Sequence, residues 1–232
     1  MTIIDERPTD TYRLAVVDLY SNIHKGIRSE LFSLVESAGK TDPYDAVGRA
    51  ALVAHVGDVA AVLESHAHHE DSAINPVLEV HLPGVAERIV ADHDHLESRF
   101  GRVLELAAAA VERGDERRVM QLLHLDLAAF TSDYLAHQDL EEREVMPALE
   151  QAIGPDAVLR IHVAVVSSIP PEEMMRSLAF MLPAMNIDDR AELLGGMRAS
   201  APAPVFAGVW GFAASVLEPA DHVALGRRLG IA

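Results

Sequence analysis

"HAHHEDSAINPVLE" spans His66 to Glu79, and "HQDLEEREVMPALE" spans His137 to Glu150. The two stretches share His, Glu, Pro, Leu and Glu at five of fourteen places, and Ile74 is answered by Val145. Each reads His-x-x-x-Glu with a proline six residues after the glutamate, and the copies start 71 residues apart. Residues four apart on a helix lie one above the other on the same face, so His66 stacks with Glu70 and His137 with Glu141. The face is the apolar one. His66 follows Val59 and Leu63 and precedes Ile74; His137 follows Phe130 and Tyr134 and precedes Val145. A carboxylate aimed at a core needs a partner or a metal, because burying it alone is very costly.

Working outward, helical periodicity dominates the chain. A first helix is expected from Thr9–Asp10 to about Ala38, ended by Gly39, with a stripe of Val17, Tyr20, Ile27, Leu31 and Leu34. A second starts at Asp42–Pro43, an N-cap followed by proline, and runs past Pro76. A third runs from Pro83 to Arg113, stopped by Gly114, and a fourth from Asp115 to Ile153, stopped by Gly154–Pro155. Short connections make sequential helices antiparallel neighbours, so the expectation is an all-α chain with an up-down-up-down four-helix bundle over residues 1–153. Beyond Gly154, prolines recur and methionines cluster at 174, 175, 181 and 185. Residues 154–232 read as a smaller C-terminal helical subdomain of three to five short helices, with the methionines as core filler.

The other two long helices carry their own inward histidines. His24 lies on the stripe between Tyr20 and Ile27, and His93 lies between Ile89 and Leu96, 69 residues further on. The chain thus reads as two copies of one hairpin, each giving a lone His and then a His-x-x-x-Glu. Four imidazoles and two carboxylates converge on one level. Such a set suits two first-row metal ions, iron or manganese, with each glutamate able to bridge.

Composition narrows the partners. Half of the 232 residues are hydrophobic and 5 % are aromatic, which suits helical globular packing. The formal charge of −17 repels nucleic-acid phosphates and anionic lipid. With no cysteine, the sequence excludes disulfides, thiolate metal sites and cysteine nucleophiles. MTIIDERPTD lacks the basic and apolar regions of a secretory signal, so a cytoplasmic location is expected. Ala199–Leu217 carries no charge, but its prolines and serines argue against stable membrane insertion.

The pattern of His, His-x-x-x-Glu, His, His-x-x-x-Glu over residues 10–153 resembles the hemerythrin-like, HHE cation-binding family. That resemblance implies His24, His66, Glu70, His93, His137 and Glu141 as ligands of a non-haem di-iron centre, with the two glutamates bridging and manganese or zinc as lesser alternatives. It further implies dioxygen, peroxide or nitric oxide as partner, with a small organic substrate if the protein is an oxidase or oxygenase. A sensor or iron-handling stress protein is the rival expectation. Two departures separate this chain from the oxygen carriers of that family: Glu97 stands where they place a fifth His, and Glu141 where they carry an Asp one residue later. The stretch from Ser167 to Met197 resembles a helical extension that follows HHE domains and implies no activity. Glu-x-x-His pairs, which a ferritin-like site would need, do not occur in the sequence.

Some residues are left as rivals or neighbours. His68 and His69 compete with His66, and His95 competes with His93, but neither His68 nor His69 stands four residues before Glu70. Tyr20 and Tyr134, one turn before ligand histidines, are expected to pack in the core or to donate to a bound oxygen species. His55, eleven residues before His66, shares its face. Glu97 is expected either as a weak extra ligand or as a residue that faces solvent or supports the ligands from outside. His81, His124, His162 and His222 are expected at the surface or in ordinary hydrogen bonds.

Overall fold

The computed structural model describes residues 15–112 and 114–231, among which lie eleven α-helices and two π-helical turns. Helix α1 (Ser21–Lys40), α2 (Ala46–His69), α4 (Pro83–Ala110) and α5 (Glu116–Leu140) touch in a closed ring, α1 to α2, α2 to α4, α4 to α5 and α5 to α1. A π-turn at Glu70–Ile74 joins α2 to α3 (Asn75–His81), and a second at Glu141–Val145 joins α5 to α6 (Met146–Ile153). Gly154 then turns the chain with φ 81°, as Gly114 does before α5 with φ 143°, values that a side chain would strain.

Two boundaries differ from the sequence reading. Residues 15–20 are not helical and α1 begins at Ser21; just before it Asp18 Oδ1 accepts from the backbone N–H groups of Tyr20 and Ser21 and holds the chain in a turn. The proposed start at Thr9–Asp10 lies outside the described residues, as does Arg113 at the end of the third helix. In α2 the N-cap is Asp45, which accepts from Val47 N, whereas Asp42 forms a turn by accepting from Tyr44 N.

The four ring helices cross two apolar layers with a polar layer between. One layer holds Ile27, Leu63, Leu96 and Tyr134 with the residues beyond them; the other holds Tyr20, Ile74, Ile89 and Val145 with Leu78, Met146 and Leu149. Along α1 the order is Tyr20, His24, Ile27, along α2 it is Leu63, His66, Ile74, and the order alternates again in α4 and α5. Every long helix therefore passes its histidine through the same level.

The C-terminal part forms α7 (Pro155–Ser168), α8 (Pro171–Ala184), α9 (Ile187–Ser200), α10 (Ala203–Val216) and α11 (Pro219–Leu229). Helix α7 joins the second layer through Val158. Leu178, Leu182, Leu194, Val209, Ala213, Leu217 and Leu225 make a third cluster, against which Met174, Met175 and Met197 pack as filler. Asn186, not Asp188, caps α9 by accepting from the N–H groups of Asp188 and Asp189. Helix α8 lies along α1, and the Cα of Gly26 is so close that an added Cβ would stand 2.9 Å from the Phe180 carbonyl carbon. The uncharged segment is the 14-residue α10, buried through Val209 and Ala213. By length and composition the continuous helix 46–81 could cross a membrane; here one side of it closes the ring and carries His66 and Glu70.

Candidate metal centre

The repeated proline explains the shape of the glutamate turns. Pro76 and Pro147 have no N–H to give to the carbonyl four residues back, so a regular α-helix loses that bond there. The chain widens instead: Asn75 N–H donates to Glu70 O and Met146 N–H donates to Glu141 O, closing i to i−5 turns. Each glutamate is the first residue of its wide turn. The sequence pattern contained this signal, Glu then Pro six residues later, but periodicity alone reads through it as continuous helix.

The polar layer brings the six residues into two groups. His24, His66, Glu70 and Glu141 each offer a ligand atom, all within 4.8 Å of one another, and so do Glu70, His93, His137 and Glu141. Both carboxylates belong to both groups. The inward atoms are the Nε2 nitrogens: His24 Nε2 lies 3.3 Å from Glu141 Oε2, His66 Nε2 3.1 Å from Glu70 Oε1, His93 Nε2 3.4 Å from Glu70 Oε2, and His137 Nε2 3.3 Å from Glu141 Oε1. His24 Nε2 and His66 Nε2 are themselves 3.1 Å apart. His24 is fully buried and Glu70, His137 and Glu141 nearly so.

Protons share this crowded space unequally. Burial opposes the charge on His24, yet hydrogen bonds to Glu141 and Glu142 outweigh it and raise its pKa to about 9. Burial and the neighbouring His24 cation push His66 down to about 3. Burial and the charge of Glu141 raise Glu70, whereas hydrogen bonds from His137 and His24 overcome burial and hold Glu141 low. Glu70 Oε1 and Glu141 Oε2 still lack a hydrogen-bond partner of good geometry. Buried oxygens without donors, facing four imidazole nitrogens, fit a cation better than they fit protons. The site's composition is compatible with metal ions, iron among them.

Around the cage stands a set of residues that sequence reasoning missed. The acid that follows each cage glutamate reaches the lone histidine of the other hairpin. Glu142 Oε1 accepts from His24 Nδ1 at 3.0 Å, and Asp71 Oδ1 from His93 Nδ1 at 3.1 Å. Arg28 grips Glu142 with two bonds of 2.8 and 2.9 Å, and with His24 it overcomes burial to hold that carboxyl near pKa 2. Asp71 is braced by Asn75 Nδ2 at 2.6 Å. Asp92 stops 3.6 Å from His137 Nδ1, beyond hydrogen-bonding reach, and that nitrogen is buried without a partner. The only trace in the sequence is the second acid in Glu70–Asp71 and Glu141–Glu142.

The rival residues fall elsewhere. His68 is exposed and His69 donates to Glu173, while His95 is largely exposed beside Asp133. Glu97 is exposed. His55 pairs with Glu30 at 2.7 Å, His124 bonds the Val35 carbonyl and His222 stacks on Trp210. Tyr20 stacks on His24 with ring centroids 5.3 Å apart, and Tyr134 meets His137 edge-on at 5.9 Å. Burial, and then the cage carboxylates, push both phenols well above their ordinary pKa, so they keep their protons.

Residues 15–149 match the family model of the hemerythrin HHE cation-binding domain. No curated protein and no solved structure matches the chain. The matched span contains all six residues of the two groups and more than half of the chain, and the protein belongs to the hemerythrin HHE cation-binding family.

Proposed function

We propose that this is a non-haem di-iron protein that binds or activates a small oxygen species: dioxygen, peroxide or nitric oxide. The observation that carries the reading is the sharing of Glu70 and Glu141 between two ligand groups, each completed by two histidines. His24 and His66 would hold one ion and His93 and His137 the other, with Glu70 and Glu141 available to both. Iron in that setting supplies one-electron redox chemistry and an open position for a diatomic ligand. The chain supplies the rest. Two apolar layers exclude water from above and below the polar level. Tyr20 and Tyr134, whose rings lie against His24 and His137 and whose phenols keep their protons, would supply hydrogen-bond donors beside the site. The alternating order of the layers along the four ring helices supports an up-down-up-down bundle, and residues 1–153 are the unit that holds the metal, with 154–232 as its helical extension.

In the enzyme form of this reading, a cytoplasmic oxidase or oxygenase turns over a small organic substrate. Its supporting observation is a groove of about 510 Å³ behind the Glu70 turn, lined by Ser72, Ala73, Val77 and Ile161. In the second form, sensing or iron handling without turnover, the tight seat of α8 on Gly26 is the supporting observation, because it leaves no gap for a substrate along α1.

Metal analysis of protein purified without chelator tests the core of the reading, with two irons per chain expected. A chain that holds no metal, or one zinc, overturns it. Anaerobic reduction followed by dioxygen, watched optically and with product analysis, separates reversible binding from turnover.

A further inference from the structure

We propose that the two halves of the cage bind their cations with unequal affinity, the His24/His66 half as the tight site and the His93/His137 half as the exchangeable one, opening on the cleft between α4 and α5. This rests on the ligand groups described above.

The inward atoms are equivalent in the two halves, but the supports behind them are not. A ligating imidazole binds best when its other nitrogen is held, because the ring is then already oriented and its basicity raised. On the first half His24 is fully buried, its Nδ1 is held by Glu142, and Glu142 is itself fixed by both guanidinium nitrogens of Arg28. Little ordering remains to be done when a cation arrives. On the second half His93 is 14 % exposed and leans on Asp71, whose side chain is 55 % exposed. Neither His66 in the first half nor His137 in the second has a hydrogen bond behind it, but the Nδ1 of His137 is buried without a partner. The halves thus differ in that orphaned nitrogen and in the clamp on Glu142 against the exposure of Asp71.

His137 also lines a cleft at the second half of the cage. A cavity of about 290 Å³ between α4 and α5 is lined by Asp92, His95, Asp133 and His137 together with Arg88 and Leu96. Asp133 is held there by Arg99 and His95, which leaves the carboxylate of Asp92 as the oxygen donor nearest His137 for an entering divalent cation. The chain's net charge of −17 draws cations towards such a mouth. Binding at His137 Nε2 requires Nδ1 to carry its proton, and the nearest acceptor for that proton is Asp92. A shift of its carboxylate towards His137 closes the 3.6 Å gap, so Asp92 is the positioning residue of the second half. Glu142 has the same office in the first.

The test is a calorimetric and optical titration of the chelator-stripped full chain with cobalt(II) alone. Two cobalt ions per chain are expected, in two steps separated by at least about tenfold, the range in which such outer partners act. Glu142→Gln should draw the tight step down towards the weak one. Glu142→Asp should restore part of it, with the helical circular-dichroism spectrum unchanged in both. Asp92→Asn should weaken only the second step and alter only the visible band that the second ion adds. Two ions binding with one affinity, or Glu142→Gln acting on the weak step, overturns the inequality. Fewer than two ions in total overturns the shared-ligand reading beneath it as well.

Discussion

The first hairpin, α1 to α3, and the second, α4 to α6, present the same atoms inward and differ in what stands behind them. Each contributes a lone histidine, a His-x-x-x-Glu and a π-turn forced by proline. Outward, the first is backed by α8, which lies along α1 and touches α2. The second carries an open polar cleft. The inward residues repeat in both copies, but the outer faces meet different neighbours and follow those neighbours. The repeat therefore sets what the cage is made of, and its surroundings set how firmly each half is held.

The largest effects test the inward equivalence. If both carboxylates are shared, Glu70→Ala and Glu141→Ala each damage both ion sites, although the residues sit in different hairpins. Each variant should lose at least about a hundredfold in affinity for both ions. Bound metal per chain, measured after equilibration with a competing chelator, is the readout. A variant that keeps one ion at undiminished affinity would break the equivalence of the two glutamates. His137→Ala should be milder, costing the second ion and sparing the first.

Outer supports come next, and here the hairpins should part. Arg28→Met frees Glu142 from its clamp and should weaken metal binding about tenfold. Asn75→Ala removes the brace on Asp71, an exposed carboxylate that water already solvates, and should cost threefold or less. Equal losses in the same competition assay would mean that the difference between clamp and brace is without consequence.

The backing of the first hairpin can be probed with one methyl group. An added Cβ at Gly26 meets the backbone of Phe180 and Met181, which cannot swing aside, whereas Gly101 on α4 has open space. Gly101→Ala should stabilise by about 0.5–1 kcal/mol through helix propensity. Gly26→Ala gains the same propensity but must push α8 away, an overpacking cost of about 1–3 kcal/mol that wins. Opposite shifts in Tm are expected, each of a few degrees. A Tm rise in both would show that α8 yields freely.

Much of this was legible in the residues. The ring of four helices and the convergence of six His and Glu side chains follow from a 3.6-residue period and from glycine and proline stops, signals carried by neighbouring residues. The start of α1 is hidden because Val17 and Tyr20 continue the apolar stripe, while a turn held by the Asp18 carboxylate precedes the helix. The π-turns escaped because a lone proline does not say whether a helix ends, kinks or widens. Arg28 and Asp92 escaped for a different reason: they meet Glu142 and His137 only after the chain has folded, and spacing along the sequence holds no trace of such a meeting. The seat of α8 on Gly26 is of the same kind.

The smallest effect belongs to the tie that fastens the extension to the first hairpin. Glu173 on α8 accepts from Ser65 Oγ and from His69 Nε2, both on α2. The Ser65 hydrogen bond, and then His69, hold its carboxyl below the ordinary range against a modest desolvation. A carboxyl whose folded pKa is depressed adds stability above its unfolded value, about 4.3, and loses it as the pH falls through the folded value. The pair is partly exposed, so the contribution is under about 1 kcal/mol. Glu173→Gln should therefore lower Tm by a degree or two at pH 7, and the gap to the parent chain should close in acid, once both side chains are neutral. A gap that stays constant down the same pH series would assign the loss to packing of α8 on α2 and not to the charge, and would make the backing of the first hairpin a matter of shape alone.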